Sequence, residues 1–291
     1  IQFVTQLRSR SKAAYGDNGE TSTPDAIQFN AVRSTKNFSH LAGMSDLKAR
    51  LVEVSKSVLD SKSSDRRNGI LLHGEPGNGK TEFALALAGE LSIPIISVSI
   101  ADLASKWVNQ TSETLNKVYA DAATQQPCVL FIDEIHRLSP VVEEYLYSAM
   151  EDYQIDIMLE SGPAARSVQI RLKPFTLIGA TTRSGLLTSP LRARFGIAAR
   201  LEYYSVELLS TIVERSSNIL NVGIESDAAI EVARRSRGTP RIANALLRRL
   251  RDFAQVRGKT VIDLEVARFG MDALDVDAHG LDEMDNRILT T

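Results

Sequence analysis

Eight residues, Gly74-Glu75-Pro76-Gly77-Asn78-Gly79-Lys80-Thr81, constrain this chain more than any other feature. Glycines at 74, 77 and 79 let a backbone curl until its N–H groups converge on an anion, where side chains would obstruct the approach. The apolar run Gly69-Ile70-Leu71-Leu72-His73 leads in as a buried strand, and the Ala/Leu-rich stretch 82–91 leaves as a helix. The N-terminus of that helix adds positive potential to the loop. In this pattern Lys80 reaches the β- and γ-phosphates and the Thr81 hydroxyl ligates Mg²⁺, with Glu75, Pro76 and Asn78 completing the wrap. A glycine-rich turn that matched by chance would not need a strand before it, a helix after it and an acid pair downstream. The expected ligand is a nucleoside triphosphate, ATP, carried with Mg²⁺.

The acid pair is Asp133-Glu134, which ends the apolar strand Cys128-Val129-Leu130-Phe131-Ile132. In P-loop ATPases the first carboxylate holds Mg²⁺ and the second polarises the attacking water. Two acids at a strand end are otherwise a common surface feature; the full P-loop upstream decides for catalysis. A water-positioning acid implies hydrolysis rather than transfer to a small molecule. Charge compensation for the leaving γ-phosphate calls for an arginine, often a neighbouring subunit's. Candidates stand in Ser189-Pro190-Leu191-Arg192-Ala193-Arg194-Phe195-Gly196.

Strand-like runs at 93–100, 128–132 and 175–180 alternate with helical stretches at 45–59, 111–124 and 141–152, which predicts a parallel sheet covered on both faces. Leu47, Leu51, Val54 and Val58 share one face of the first of these helices. Residues 9–35 lack periodicity and read as a flexible lead-in, 1–36. From Val206 the pattern is helical only, so an α/β ATPase domain, 37–204, is expected to precede an all-helical lid, 205–274. The 291 residues carry a formal net charge of −2, which gives no global field for nucleic acid. A single cysteine, Cys128, excludes an internal disulfide and fits a reducing compartment. No apolar run is long enough to span a bilayer, so no membrane partner and a cytoplasmic location are expected. The histidines His40, His73, His136 and His279 lack metal-ligand spacing.

From Phe131 to about Ile288 the chain resembles the RuvB family of Holliday-junction branch-migration motors. The resemblance is carried by FIDEIHRLSPVVEEYLYSAMEDYQIDIM (131–158), PFTLIGATTRSGLLTSPLRARFGI (174–197), RGTPRIANALLRRLRDFA (237–254) and LDVDAHGLDEMDNRIL (274–289). It implies that Thr182 is the sensor 1 residue beside the γ-phosphate, and that Arg194 is an arginine finger acting in trans with Arg192 as a second contact. Arg241 is implied as sensor 2, reaching from lid to nucleotide. A ring, expected as a hexamer, follows from the trans finger. The last segment, 275–291, resembles the start of a winged-helix domain that touches DNA in this family. The chain stops there, so its engagement of Holliday-junction DNA is expected to be weakened.

The first part looks different. NFSHLAGMSDLKARL (37–51), LLHGEPGNGKTEFALALAGEL (71–91) and IPIISVSIADLASKWV (93–108) resemble AAA ATPases of the FtsH and microtubule-severing type. That likeness adds Ala42 and Gly43 as nucleotide contacts and makes Trp107 a polypeptide-gripping pore residue. The two resemblances meet at the FIDEI strand, which predicts a chimera of two AAA+ families or a divergent natural protein. The first reading is a branch-migration motor. Kept open beside it are a polypeptide-threading remodeller using Trp107, and a nucleotide-gated scaffold with little turnover.

Residues 154–159 and 168–172 alternate in hydrophobicity around Glu160-Ser161-Gly162-Pro163, which predicts a β-hairpin. Its apolar face either folds onto its own domain or docks a partner. The RuvB resemblance implies docking of a RuvA-like subunit on Ile155–Leu172. The arginines at 234, 235, 237, 248, 249 and 251 read mostly as the solvated face of lid helices, and no DNA contact is expected of them.

Overall fold

The computed structural model describes residues 31–59, 68–98, 127–158, 167–172 and 175–290. A six-stranded sheet organises the first part: β1 (Val32–Arg33), β2 (Gly69–Gly74), β3 (Pro94–Val98), β4 (Val129–Ile132), β7 (Thr176–Thr181) and β8 (Phe195–Leu201). Its order is β1-β3-β4-β7-β2-β8, and every pairing is parallel except β1 with β3. Strand β2 is therefore flanked by β7 and β8, and the P-loop leaves the sheet one strand in from its β8 edge. The paired antiparallel strands β5 (Gln154–Met158) and β6 (Ser167–Arg171) stand apart from it.

Period-two alternation splits the sheet's side chains between two cores. Leu71, Leu130, Ile132 and Leu177 join Val142, Leu146 and Leu191 on one face, which is covered by α3 (Pro140–Glu151) and α4 (Ser189–Arg194). Ile70, Leu72, Val129, Phe131 and Ile178 pack on the other face against Leu51 of α1 (Ser45–Leu59) and Phe83 and Leu87 of α2 (Lys80–Glu90). Burial on both faces explains why these strands read as unbroken apolar runs. The α1 stripe is as the periodicity predicts: Leu51 and Val58 are buried, and Leu47 and Val54 pack partly buried.

A helical lid follows, built from α5 (Val206–Ile219), α6 (Ser226–Arg234), α7 (Pro240–Val256) and α8 (Leu264–Asp272) around Leu209, Val213, Val232, Leu247, Leu250 and Met271. Two-residue strands β9 (Gly223–Ile224) and β10 (Val261–Ile262) pair in parallel and clasp its loops together. Helix α9 (Glu283–Leu289) comes last, capped by Asp282.

Three expectations need correction. The lead-in is not flexible to residue 36, because Val32–Arg33 pairs with β3 and the following segment lies across α2. Lys36 ion-pairs with Glu82 at 2.6 Å, Phe38 N–H donates to Glu90 at 3.3 Å, and the Phe38 and Phe83 rings meet at 5.3 Å. Strand β8 has no counterpart in the sequence reading. Its Arg and exposed positions alternate with Phe195, Ile197, Ala199 and Leu201, a pattern hidden within a segment read for its arginines. Arg235 is not a solvated lid residue: it is largely buried, bonded to Glu231 at 2.7 Å and to the Val276 carbonyl at 2.9 Å. The helix expected at 111–124 lies outside the described residues.

Gly89 shows how tightly the N-terminal segment sits. A Cβ there would come within 1.8 Å of the Lys36 carbonyl oxygen. Gly89→Ala is expected to destabilise the chain by about 1–3 kcal/mol, because backbone on both sides must shift. Urea unfolding with an unchanged midpoint would show that the segment at 34–38 does not hold this position in solution.

Candidate nucleotide site

The C-terminal ends of β2, β4 and β7 lie side by side, where open α/β sheets place their ligands. A cleft of about 480 Å³ opens there, lined by Pro76, Gly77, Gly79, Lys80 and Thr81 of the loop, Asp133 and Glu134 from β4, and Thr182 after β7. Pro240, Arg241 and Asn244 of the lid close its far wall, with Glu82 and Arg137 at its margin. Sequence reading named Lys80, Thr81, Asp133, Glu134, Thr182 and Arg241 from four separate segments, and the fold brings all six to one cleft.

The loop is held from behind. Asn78 is fully buried, and its Nδ2 donates to the carbonyls of Leu201 at 3.2 Å and Glu202 at 3.1 Å. Gly74 needs to be glycine, since φ is +145° and a Cβ would stand 2.3 Å from the Leu201 oxygen. Gly79 adopts φ +86° and begins α2 without a side-chain cap, so the first turn of that helix faces the cleft with its N–H groups free of a capping oxygen. Gly77 touches the lid, where a Cβ would lie 2.6 Å from Cβ of Arg241.

Lys80 turns its ammonium onto its own loop, donating to the Gly74 and Glu75 carbonyls at 2.9 Å each. Burial pulls its pKa down, partly countered by Asp133 and Glu134. Burial pushes the Asp133 carboxyl up, while the hydrogen bond it accepts from Glu134 N–H opposes this, as does Lys80. An ammonium bound only to neutral carbonyls, an uncapped helix start and glycines that leave backbone room suit a polyphosphate. The donor set beside it, a Thr81 hydroxyl and an Asp133 carboxylate, suits a hard cation such as Mg²⁺.

Glu134 sits at φ +52°, in the left-handed region that costs a non-glycine residue about 1–2 kcal/mol. The kink turns its carboxylate back toward β7. There Thr182 Oγ1 donates to Oε2 at 3.3 Å, and His136 Nε2 lies 3.5 Å from the same oxygen. His136 and Thr181 are site residues that the sequence reading did not single out. The only signal was position, two residues past Glu134 and one before Thr182.

Arg192 and Arg194 do not line this cleft. They ride on α4, which Thr188 caps by accepting from Leu191 N–H. The Arg194 guanidinium stacks on the Tyr147 ring at 4.1 Å and faces Glu151 at 3.1 Å. Tyr147 and Thr188 both donate to Glu143, itself only 5% exposed, at 2.8 and 2.6 Å. Arg192 bonds the Ser184 carbonyl. Ala42 and Gly43 are likewise off the cleft; a Cβ on Gly43 would press on Leu208 of the lid. Trp107 and residues 159–166 lie outside the described residues. Among the described residues no His/Cys/Asp/Glu group could hold a metal by itself, and no helix is long and apolar enough to cross a membrane.

A mostly parallel sheet with a P-loop after an inner strand, an acid pair two strands away and a helical lid defines a P-loop ATPase of the AAA+ class. The family models for the Holliday junction DNA helicase RuvB P-loop domain and the RuvB AAA lid domain match residues 33–201 and 204–277. The chain belongs to the RuvB family.

A Holliday junction branch migration complex subunit RuvB from Christiangramia forsetii is 56% identical over 274 residues, covering 94% of this chain and 77% of its own length. The one from Flavobacterium johnsoniae is 63% identical over 221 residues, or 76% of this chain and 63% of that protein. A solved Thermotoga maritima RuvB Holliday junction branch migration motor superposes with a TM-score of 0.73 at 38% identity, over 89% of this chain and 78% of its own. These matches overturn the expected chimera. One family model runs unbroken through Phe131, and the Christiangramia relative aligns across both sides of the supposed seam. The likeness of residues 37–134 to other AAA proteins reflects what any P-loop needs: a buried strand, a glycine loop, a helix and an acid-ended strand.

Asn78 offers a test of the loop's support. Asn78→Ala leaves the Leu201 and Glu202 carbonyls without these donors and is expected to cost about 1–3 kcal/mol of stability. Nucleotide affinity, read with a fluorescent ATP analogue, should fall with it. Unchanged melting and affinity would show that the loop holds its shape without this brace.

Proposed function

We propose that this chain is the ATP-hydrolysing motor subunit of a Holliday-junction branch-migration complex. The observation that carries the proposal is the convergence of Lys80, Thr81, Asp133, Glu134, Thr182 and Arg241 on one cleft in a RuvB-family chain. Lys80 and the loop N–H groups bind the phosphates, and Thr81 with Asp133 would hold Mg²⁺. When bound, that ion draws charge from the phosphate oxygens. Glu134 orients and polarises the water, and Thr182 donates to that carboxylate and stands beside the γ-phosphate. Arg241 carries the state of the nucleotide into the lid.

Arg194 supplies the remaining positive charge to a neighbouring subunit's site, which makes a ring, a hexamer by family, the working form. Its place outside the cis cleft, on a helix fixed through Glu143, supports this reading. Hairpin β5–β6 pairs Ile155 with Ile170 and Ile157 with Val168, a register that keeps the alternating apolar positions together. It is the docking element for a RuvA-like, junction-binding subunit. Nothing among the described residues favours the polypeptide-threading reading over this one. ATP-coupled movement of DNA also places the protein in recombination and repair, in the cytoplasm.

The test mixes two defective subunits. Arg194→Ala is expected to lower turnover by about 10³-fold or more with nucleotide affinity kept. Lys80→Ala should lose binding. Mixing the two regenerates interfaces with an intact loop on one side and an intact finger on the other, so part of the activity should return. A four-way junction carrying the RuvA-type subunit should stimulate the parent chain. No recovery on mixing would move Arg194 out of the trans role, and turnover indifferent to the junction complex would defeat the motor reading. Firm binding with no turnover at all would leave a scaffold.

A further inference from the structure

Glu134 is held by more than the sensor. The 3-10 turn Ile135–Arg137 follows it directly, and the buried side chain of Ile135 fills the space over Gly179, where a Cβ would come within 2.9 Å of Ile135 Cδ1. Gly179 and Thr181 share one face of β7. Anchoring Ile135 over the first therefore brings His136 over the second, with Nδ1 2.8 Å from Thr181 Oγ1. The imidazole is only 5% exposed, and Thr181 is fully buried.

Proton bookkeeping assigns the direction of these bonds. Arg183 N–H donates to Thr181 Oγ1 at 2.9 Å, which leaves the hydroxyl proton available. A neutral imidazole has one donor and one acceptor nitrogen. With Nε2 facing a carboxylate oxygen at 3.5 Å, the proton belongs on Nε2, and Nδ1 accepts from Thr181. Burial lowers the His136 pKa, in keeping with a neutral ring. Glu134 Oε2 then has two polar neighbours, Thr182 Oγ1 and His136 Nε2, and Oε1 is left for the water.

We infer that His136, oriented by Thr181, is a positioning residue that fixes the carboxylate of Glu134 for hydrolysis. The inference rests on the reading of Glu134 as the water-polarising acid. It joins the acid to β7 by two adjacent residues, Thr181 through the ring and Thr182 directly. A movement of that strand end therefore re-aims the catalytic carboxylate.

Steady-state ATP turnover and nucleotide affinity of the full chain test this. His136→Leu is expected to lower kcat by roughly 10- to 100-fold, the cost of a misplaced catalytic group. KM and fluorescent-nucleotide affinity should stay near the parent's. His136→Gln, whose amide N–H reaches the same oxygen, should recover most of kcat. Thr181→Val should lower kcat in the same direction, and the double variant Thr181→Val/His136→Leu should be no slower than His136→Leu alone. Parental kcat in His136→Leu, or a loss shared by kcat and affinity that Gln does not rescue, would overturn the inference. Glu134→Gln separates the two levels. If it turns over normally, the reading of Glu134 fails; if it is dead while His136→Leu turns over at the parental rate, only the role of His136 fails.

Discussion

The nucleotide site depends on a loop whose three glycines leave its shape to be set by a few anchoring bonds. Gly74, Gly77 and Gly79 all adopt positive φ, so the loop's conformation is one that chain entropy disfavours and that must be anchored to the rest of the sheet. The buried Asn78 amide imposes it by bonding two successive carbonyls at the end of β8. This ties the loop to the last strand of the sheet, beyond which the chain passes into the lid. The contact at Gly74 is tight enough to exclude any side chain, so strand and loop move as one piece. Lys80 then bonds back to the first two residues of the loop and pre-sets its curl.

The same bracing joins the sheet to the lid. Tyr204 N–H donates to the Gly238 carbonyl at 2.9 Å, and its hydroxyl reaches the Asn78 carbonyl at 3.4 Å. Arg237 and Gly238 both take positive φ just before α7, and this double left-handed turn aims Arg241 back across the loop. Arg237 also ion-pairs with Asp285 of α9 at 2.7 Å. The turn that places Arg241 is therefore in contact with the segment that leads onward from the lid. Lid, loop and last helix share contacts at one corner, so a ligand that prefers one lid position biases all three.

Much of this was legible in the sequence because the physics is local. A P-loop must show its glycines, a strand buried on both faces must be continuously apolar, and an acid pair must stop that strand. The resemblance supplied Thr182 and Arg241, which no local pattern marks, and both reached the cleft. What escaped depended on long-range packing. Strand β8 hid within a segment read for its arginines, and β1 is two residues that gain meaning only against β3. His136 looked like one of four scattered histidines until Ile135 seated it over β7. The supposed seam at Phe131 was a misreading of shared necessity as shared ancestry.

The trans role proposed for Arg194 would need an anchor within its own subunit. A guanidinium on a free side chain would lose roughly 2 kcal/mol of rotamer entropy each time it entered a neighbour's site. Here the ring of Tyr147 lies under it, and Tyr147 is fixed through the buried Glu143, which also holds Thr188 at the start of α4. The arginine is thus aimed before any neighbour arrives, and part of the ordering cost is met within the subunit. Glu151, more than half exposed, faces the same guanidinium from solvent and would compete for it with a neighbour's phosphates. In that proposed role, its solvated cis partner would be weak enough to yield to a more highly charged phosphate across a subunit boundary.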